Sequence, residues 1–149
     1  MNTIVTLGKN SKNFYINKIN YYLSKVSKIF ETELINFDFN TQKKNHNCTK
    51  FNNKYIKDKS IFTVNLDDKG TQYSSKIFLN NFLDWKRKYK KIVFIIGDAY
   101  GIPEEMKKYE PNLIMSVSKF TLTHEIIPLI LAEQIYRISC IYNNHPYHK

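Results

Sequence analysis

The 149-residue chain is long enough for one domain with a substantial hydrophobic core. Its composition, with 42% hydrophobic and 15% aromatic residues, excludes an intrinsically disordered chain, and no apolar run approaches the ~18 residues of a membrane helix. The opening residues read as a short strand and a polar turn rather than as a signal peptide. We therefore expect a single domain over residues 1–149 that is soluble, cytoplasmic and not bound to a membrane.

The formal net charge of +10 indicates a polyanionic partner such as nucleic acid. However, 21 of the 23 basic residues are lysines, and Asn, Ile and Tyr are also frequent. The same mixture arises when codons drift toward A and T, so the charge alone leaves both interpretations open. For the same reason the two arginines, Arg87 and Arg137, carry more information than the lysines.

Hydrophobic periodicity predicts alternating strands and helices along the chain. Apolar and β-branched runs predict strands at residues 3–8, 33–39, 61–66, 91–97 and 113–118. Apolar residues at spacings of three and four predict helices at residues 14–30, 74–89 and 124–142, and Pro103 predicts the first position of a further helix. Residues 40–53 are polar and predict a loop leading into a short helix near Tyr55, and residues 67–70 predict a turn.

This alternation is typical of an α/β domain with a mostly parallel sheet flanked by helices. Ligands of such sheets bind at the carboxyl ends of the strands, here the loops after Leu66, Gly97 and Ser118. The loop 97–101, GDAYG, has glycines that let a ligand approach the backbone near a helix start. A glycine-bounded turn is also common after any strand, so the loop by itself does not establish a site.

Several histidines and cysteines have side chains that can bind metals. Cys140, His145 and His148 lie close in sequence, but structural zinc sites generally use four ligands and Cys140 belongs to an apolar helix. We predict no metal site, and we expect Cys48 and Cys140 to be reduced and structural. His124, at the start of the last helix, is either a polar residue near a cap or a group held over a pocket.

The last predicted helix is apolar on nearly all sides, apart from a polar stripe of Glu133, Gln134 and Arg137. Such a helix must be covered by more than its own sheet. Either it lies at the centre of the fold or it packs against a second copy of the chain. Because the chain is short, we favour a homodimer.

Three segments together resemble one known family. VNLDDKGTQYSS, VFIIGDAYGI and MSVSKFTLTHEIIPLILAEQIYRISCIYNNHPYHK, in this order, are similar to the ribosomal RNA large subunit methyltransferase H family of the SPOUT class. The resemblance runs end to end, is strong over residues 61–149 and thin over residues 31–60. Its most specific part is LAEQIYR followed by NNHPYHK.

The resemblance implies a SPOUT-type fold with a C-terminal trefoil knot, a homodimer, and S-adenosylmethionine (AdoMet) as the cofactor bound in the knot. The implied reaction is methylation at N3 of a pseudouridine in 23S rRNA of the large ribosomal subunit. The residues that match the family's cofactor contacts are Leu66, Gly97, Val117, Ser118, Lys119, Phe120, Thr121 and Leu122.

The resemblance also suggests roles for the chain's end. If the subunits pair through the last helix, the tail of one can close over the cofactor of the other. Tyr147 would then offer a stacking face, Arg137 and Lys149 would contact RNA phosphates, and His148 or His124 would reach the target imide. These residues are the predicted catalytic and RNA-binding groups.

Three positions depart from the family's usual pattern: Asp98 replaces a second glycine, Thr123 replaces a proline, and Pro128 replaces an arginine. If the backbone at Asp98 needs a positive φ, the loop persists at a modest cost and a lower cofactor affinity. Pro128 predicts a last helix that begins late or kinks. The alternative function is an RNA- or ribosome-binding protein without catalysis on the same fold; a tRNA methyltransferase fits the tail less well.

Overall fold

The computed structural model describes residues 1–8, 14–38 and 44–149. Within these ranges there are five strands, β1 (Asn2–Leu7), β2 (Thr32–Phe37), β3 (Ile61–Thr71), β4 (Lys91–Ile96) and β5 (Leu113–Met115). The described helices are α1 (Ile16–Leu23), α2 (Lys44–Phe51), α3 (Ser75–Lys88), α4 (Glu104–Lys107) and α5 (Ile126–Tyr142). A 3-10 turn, Lys28–Phe30, precedes β2, and a π-helical turn, Asn52–Ile56, extends α2.

The described strands form one sheet in the order β2-β1-β4-β3-β5, and every strand pair is parallel. The predicted α/β class is therefore confirmed. Strand β4 is central, and its residues Ile92 to Ile96 are at most 1% exposed because helices cover both faces. Ile96 pairs with Leu66, and Leu66 pairs with Met115, so the carboxyl ends of β4, β3 and β5 lie side by side.

Two hydrophobic clusters hold the helices on opposite faces of the sheet. One cluster joins alternate residues of the strands to α3 and α5, with Phe82, Phe94 and Ile135 fully buried. The other joins the remaining strand residues to α2, the π-helical turn and α4 through Phe51 and Met106. Residues 40–53 were predicted to be a loop, but α2 occupies part of that range; residues 39–43 lie outside the described residues.

The helix predicted over residues 14–30 is wrong in its length, because α1 ends at Leu23. Further along, Ser27 is extended, with φ −73° and ψ 161°. Its backbone N–H donates to the Ser139 hydroxyl at 2.9 Å. This bond joins the start of the 3-10 turn to α5. The two serines are 112 residues apart, so helical periodicity gives no sign of the contact.

The turn predicted at residues 67–70 is also wrong, because β3 continues to Thr71. Pairing with β5 shifts register between Leu66 and Thr71, which both pair with Met115. The backbones are so close there that a Cβ on Gly70 would lie 2.6 Å from the Met115 carbonyl carbon. The predicted strand at residues 113–118 is in turn shortened, ending at Met115.

Helix α5 begins at Ile126, two residues later than predicted, as expected from Pro128. Pro128 is the third residue of the helix, where a backbone N–H has no intrahelical acceptor, so the proline removes no helix hydrogen bond. Helix α3 matches its prediction: the Ser74 hydroxyl caps it by accepting the Ile77 N–H at 3.3 Å. Pro103 is the cap of α4 rather than its first residue.

None of the helices in the described part of the chain is long and apolar enough to cross a membrane. Cys48 and Cys140 are both buried, which agrees with the structural role predicted for them. The trefoil knot and the homodimer stay predictions.

Candidate functional site

A cleft of about 690 Å³ lies at the carboxyl ends of β3, β4 and β5. Its volume falls within the range of small-molecule and cofactor sites, roughly 300–1,000 Å³. Three chain segments form its walls: the end of β3, the loop after β4, and the long connection from β5 to α5. The lining residues are Leu66, Asp67, Asp68, Ile96, Gly97, Asp98, Ala99, Gly101, Ser116, Val117, Ser118, Phe120, Thr121, Leu122, Thr123, His124, Glu125 and Ile127.

The loop after β4 is folded tightly against itself. A Cβ on Gly97 would lie 2.4 Å from the Gly101 carbonyl carbon, so this position requires glycine. The Gly101 N–H donates to the Asp98 carbonyl at 2.9 Å, and the Tyr100 N–H donates to the Asp98 carboxylate at 2.8 Å. Among the described non-glycine residues only Asn144 has a positive φ, so Asp98 fits its place without backbone strain.

The connection from β5 to α5 is shaped by short-range hydrogen bonds to serines. Ser116 accepts the Ser118 N–H at 3.2 Å, and the Ser118 hydroxyl accepts the Phe120 N–H at 3.0 Å. The Thr121 hydroxyl then donates to the Asp68 carboxylate at 3.2 Å. This last bond links the third wall of the cleft to the first.

The structure gathers most of the predicted cofactor residues in this cleft. Seven of them line it: Leu66, Gly97, Val117, Ser118, Phe120, Thr121 and Leu122. The eighth, Lys119, belongs to the same loop but is exposed and does not line the cleft. His124 also lines it, which favours the second of its two interpretations.

The cleft is locally acidic although the chain is strongly basic. Asp67, Asp68, Asp98 and Glu125 line it, and among the described lining residues only His124 has a basic side chain. Sequence reasoning missed Asp67 and Asp68, because two aspartates before Lys and Gly read as a turn. The signal that identifies them is their position directly after Leu66, at the end of a buried parallel strand. Such a cleft suits a ligand with a cationic centre.

The C-terminal tail, residues 143–149, lies apart from the cleft and folds onto α5 of its own chain. The Tyr147 hydroxyl donates to the Glu133 carboxylate at 3.0 Å, and the Tyr147 ring contacts Tyr136 at a centroid distance of 4.7 Å. Arg137 donates to the same Glu133 oxygen at 2.6 Å and lies over the Tyr147 ring at 4.9 Å. Glu133 thus anchors both Arg137 and Tyr147.

Burial and the bond to Glu133 raise the pKa of the Tyr147 phenol above its ordinary value. The phenol is therefore protonated at neutral pH and acts as a donor, not as a base. His148 has a buried Nδ1 without a hydrogen-bond partner, and Lys149 is exposed. Tyr147, His148, Arg137 and Lys149 do not line the cleft of their own chain.

Metal binding has no support from the geometry. In the part of the chain that the structure describes, no three His, Cys, Asp or Glu side chains converge as ligands. Cys140 is buried within α5, whereas His145 is exposed beyond its end.

Comparison with known proteins gives a consistent result. The protein family described as "Predicted SPOUT methyltransferase" matches residues 1–148. A Ribosomal RNA large subunit methyltransferase H from Prochlorococcus marinus (strain MIT 9312) is 35% identical over 98% of this chain and 94% of its own length. The protein of the same name from Parabacteroides distasonis is 32% identical over 97% of this chain and 96% of its own.

A solved structure shares the fold. A probable methylase family protein from Haemophilus influenzae Rd KW20 superposes with a TM-score of 0.59, covering 99% of this chain and 70% of that chain. The sequence identity is 11%, so the likeness concerns the fold alone.

Proposed function

This chain belongs to the SPOUT methyltransferase family, and from that premise we propose that it transfers a methyl group from AdoMet to N3 of a pseudouridine in 23S rRNA. The names of its relatives support ribosomal RNA of the large subunit as the substrate class. The cytoplasm, where ribosomes work, is the proposed location. The observation that carries the proposal is the cleft, since its three walls are the segments that resemble the rRNA methyltransferase family.

The residues of the cleft fit AdoMet. Gly97 allows the β4 loop to close tightly on Gly101, and Val117, Ser118 and Phe120 to Leu122 line the opposite wall. The carboxylates of Asp67, Asp68 and Asp98 suit a molecule that carries a sulfonium and an ammonium group. When bound, AdoMet supplies an electrophilic methyl group.

The chain's own residues have to hold the target nitrogen and accept its proton. The N3 imide proton is weakly acidic, so transfer requires a proton acceptor within hydrogen-bond reach. His124 lines the cleft, and His148 has an unpartnered Nδ1, which makes these two histidines the proposed acceptors. Tyr147 keeps its proton and contributes its ring face, while Arg137 and Lys149 bind phosphate.

We propose that the active unit is a homodimer paired through α5. Ile126, Ile127, Leu129 and Ile130 of this helix stay partly exposed in the single chain, which leaves an apolar strip to be covered. Pairing there would bring the tail of one subunit to the cleft of the other. The tail residues, which lie away from their own cleft, would then have a place in catalysis.

The test is transfer of labelled methyl from AdoMet to ribosomes that lack the modification, followed by nuclease digestion and mass spectrometry. The proposal predicts one product, a methyl group on N3 of a 23S pseudouridine. A Gly97→Ala variant is the control that retains the surface but loses the cleft. Methylation of tRNA instead would overturn the proposal. So would a folded protein that binds ribosomes but does not bind AdoMet and transfers no methyl group.

A further inference from the structure

Two aromatic side chains at the mouth of the cleft are almost fully exposed to water. Tyr100 is 96% exposed and Phe120 is 82% exposed, whereas most other aromatic rings of the described chain are buried or half-buried. Ala99 and Gly101, on either side of Tyr100, line the cleft, and the Tyr100 ring lies outside that lining. Aromatic side chains are enriched in the contacts that proteins make with partners, so exposed rings beside a cleft are candidate contact residues.

The same kind of local hydrogen bond fixes the backbone at both aromatic residues. The carboxylate of Asp98 accepts the N–H of Tyr100, and the hydroxyl of Ser118 accepts the N–H of Phe120, each two residues along. The loop of Tyr100 is closed further by the bond from the Gly101 N–H to the Asp98 carbonyl. Backbone that is fixed in this way presents each ring with little conformational freedom to lose on binding.

The two rings are carried by different walls of the cleft, Tyr100 by the loop after β4 and Phe120 by the connection after β5. Their loops leave β4 and β5, which flank β3, so the strand ends are roughly 10 Å apart. The exposed Lys119, next to Phe120, adds a cation that suits the phosphate of a nucleotide.

We propose that Tyr100 is an RNA-contacting residue that stacks on an unpaired base at the mouth of the cleft, with Phe120 as the facing wall. The inference rests on the proposed function, because the RNA it concerns is the methylation substrate. Single-stranded RNA is recognised by stacking of splayed bases on aromatic rings, and such stacking tolerates any base. Tyr100 would therefore contribute to RNA affinity rather than to the choice of base.

The experiment compares Tyr100→Ala, Tyr100→Phe and Tyr21→Ala with the wild type. Tyr21 is the matched control, a tyrosine on α1 that is 50% exposed and does not line the cleft. Three quantities are measured: the Kd for ribosomes lacking the modification, the Kd for AdoMet, and KM and kcat for methyl transfer. The Tm and the molecular mass in solution report folding and association.

We expect Tyr100→Ala to raise the ribosome Kd and KM by roughly 5- to 100-fold, the effect of losing one stacked base. The AdoMet Kd, Tm and mass stay unchanged, Tyr100→Phe restores the affinity because the ring is retained, and Tyr21→Ala behaves as the wild type. An unchanged ribosome Kd in Tyr100→Ala overturns the proposal, as does a fall in dimer mass, which would assign the ring to subunit contact.

Failure of the proposed function is separable in the same experiment. If the wild type binds ribosomes without methylating them, weaker ribosome binding by Tyr100→Ala still supports the stacking contact while the enzymatic proposal falls. If the wild type binds no ribosomes at all, both proposals are overturned.

Discussion

The cleft and the C-terminal tail contain the two halves of the predicted site, and in the structure the two halves lie apart. The cleft is assembled within one chain, from three segments whose strand ends lie side by side. The tail instead contacts α5 of its own chain, through Tyr147 and Glu133. A cofactor site can therefore be complete in a single subunit, whereas the tail needs either a second subunit or a rearrangement to reach a cofactor.

Among the variants considered, deletion of residues 147–149 should reduce methyl transfer most. Methyl transfer to ribosomes should fall by about 100-fold or more, because the groups that we propose to position the target nucleotide are lost. AdoMet binding, measured by calorimetry, should be unchanged because the deleted residues do not line the cleft. Full activity without the tail would show that the cleft alone is the active site.

Gly97→Ala should impair AdoMet binding in the cleft and leave the tail intact. The added Cβ would meet the Gly101 backbone at 2.4 Å, so the loop must move. AdoMet affinity should drop by about 10-fold or more, as overpacking of 1–3 kcal/mol implies. A Gly97→Ala protein with wild-type AdoMet affinity would mean that the cofactor lies elsewhere.

Glu133→Gln tests the anchor of the tail. Its carboxylate receives hydrogen bonds from both Arg137 and Tyr147, and the Glu133 and Arg137 side chains are only 19% and 27% exposed. The free energy of unfolding in denaturant should fall by about 1–3 kcal/mol. Asp84→Asn, which breaks the exposed pair with Arg87, should change it by no more than about 0.5 kcal/mol. Equal effects of the two variants would contradict a structural role for Glu133.

Thr121→Val tests the link between two walls of the cleft. The variant removes the hydroxyl that donates to Asp68 at 3.2 Å. Because this bond is exposed, AdoMet affinity should decrease only about two- to fivefold. A loss as large as that of Gly97→Ala would show that the link, rather than the glycine loop, shapes the cleft.

The pH dependence of the tail should be the smallest effect. Burial raises the folded pKa of Tyr147 above the ordinary 10.0, so its stabilising contribution is full below about pH 10 and is lost at higher pH. The stability difference between the wild type and Tyr147→Phe should therefore be constant from pH 6 to about pH 9. Denaturant unfolding across that range provides the measurement, and a difference that changes near neutral pH would contradict the assignment.

Regions whose structure follows from local pattern were predictable from the sequence. Strand β4 is apolar on both faces because both are covered by helices, and Ser74 caps α3 as its position suggests. The end of α1 was not predictable, since helical periodicity continues past Leu23 while Ser27 bonds to Ser139, far along the chain. The extension of β3 was missed because the acidic residues Asp67 and Asp68 resemble a turn.

The candidate site, too, was predictable from the sequence only in part. Parallel strands predict that ligands bind after Leu66 and Gly97, and these residues do line one cleft. The proposed ligand, AdoMet, is implied by the resemblance, because no spacing of residues specifies it. The exposed ring of Tyr100 was not predicted, since exposure depends on how a loop folds and not on its composition.

Complementation between two variants tests whether the tail of one subunit serves the cleft of the other. At an AdoMet concentration between the Kd of the wild type and that of Gly97→Ala, the Gly97→Ala chain retains a tail but has a mostly empty cleft, and the chain without residues 147–149 retains a cleft but lacks its tail. If the tail acts across a two-fold dimer, a randomly exchanged equimolar mixture should recover about a quarter of wild-type methyl transfer per subunit, because half of its dimers are mixed and each of these contains one complete site of two. Verified mixed dimers with no recovered activity would show that the tail does not serve the cleft of its partner.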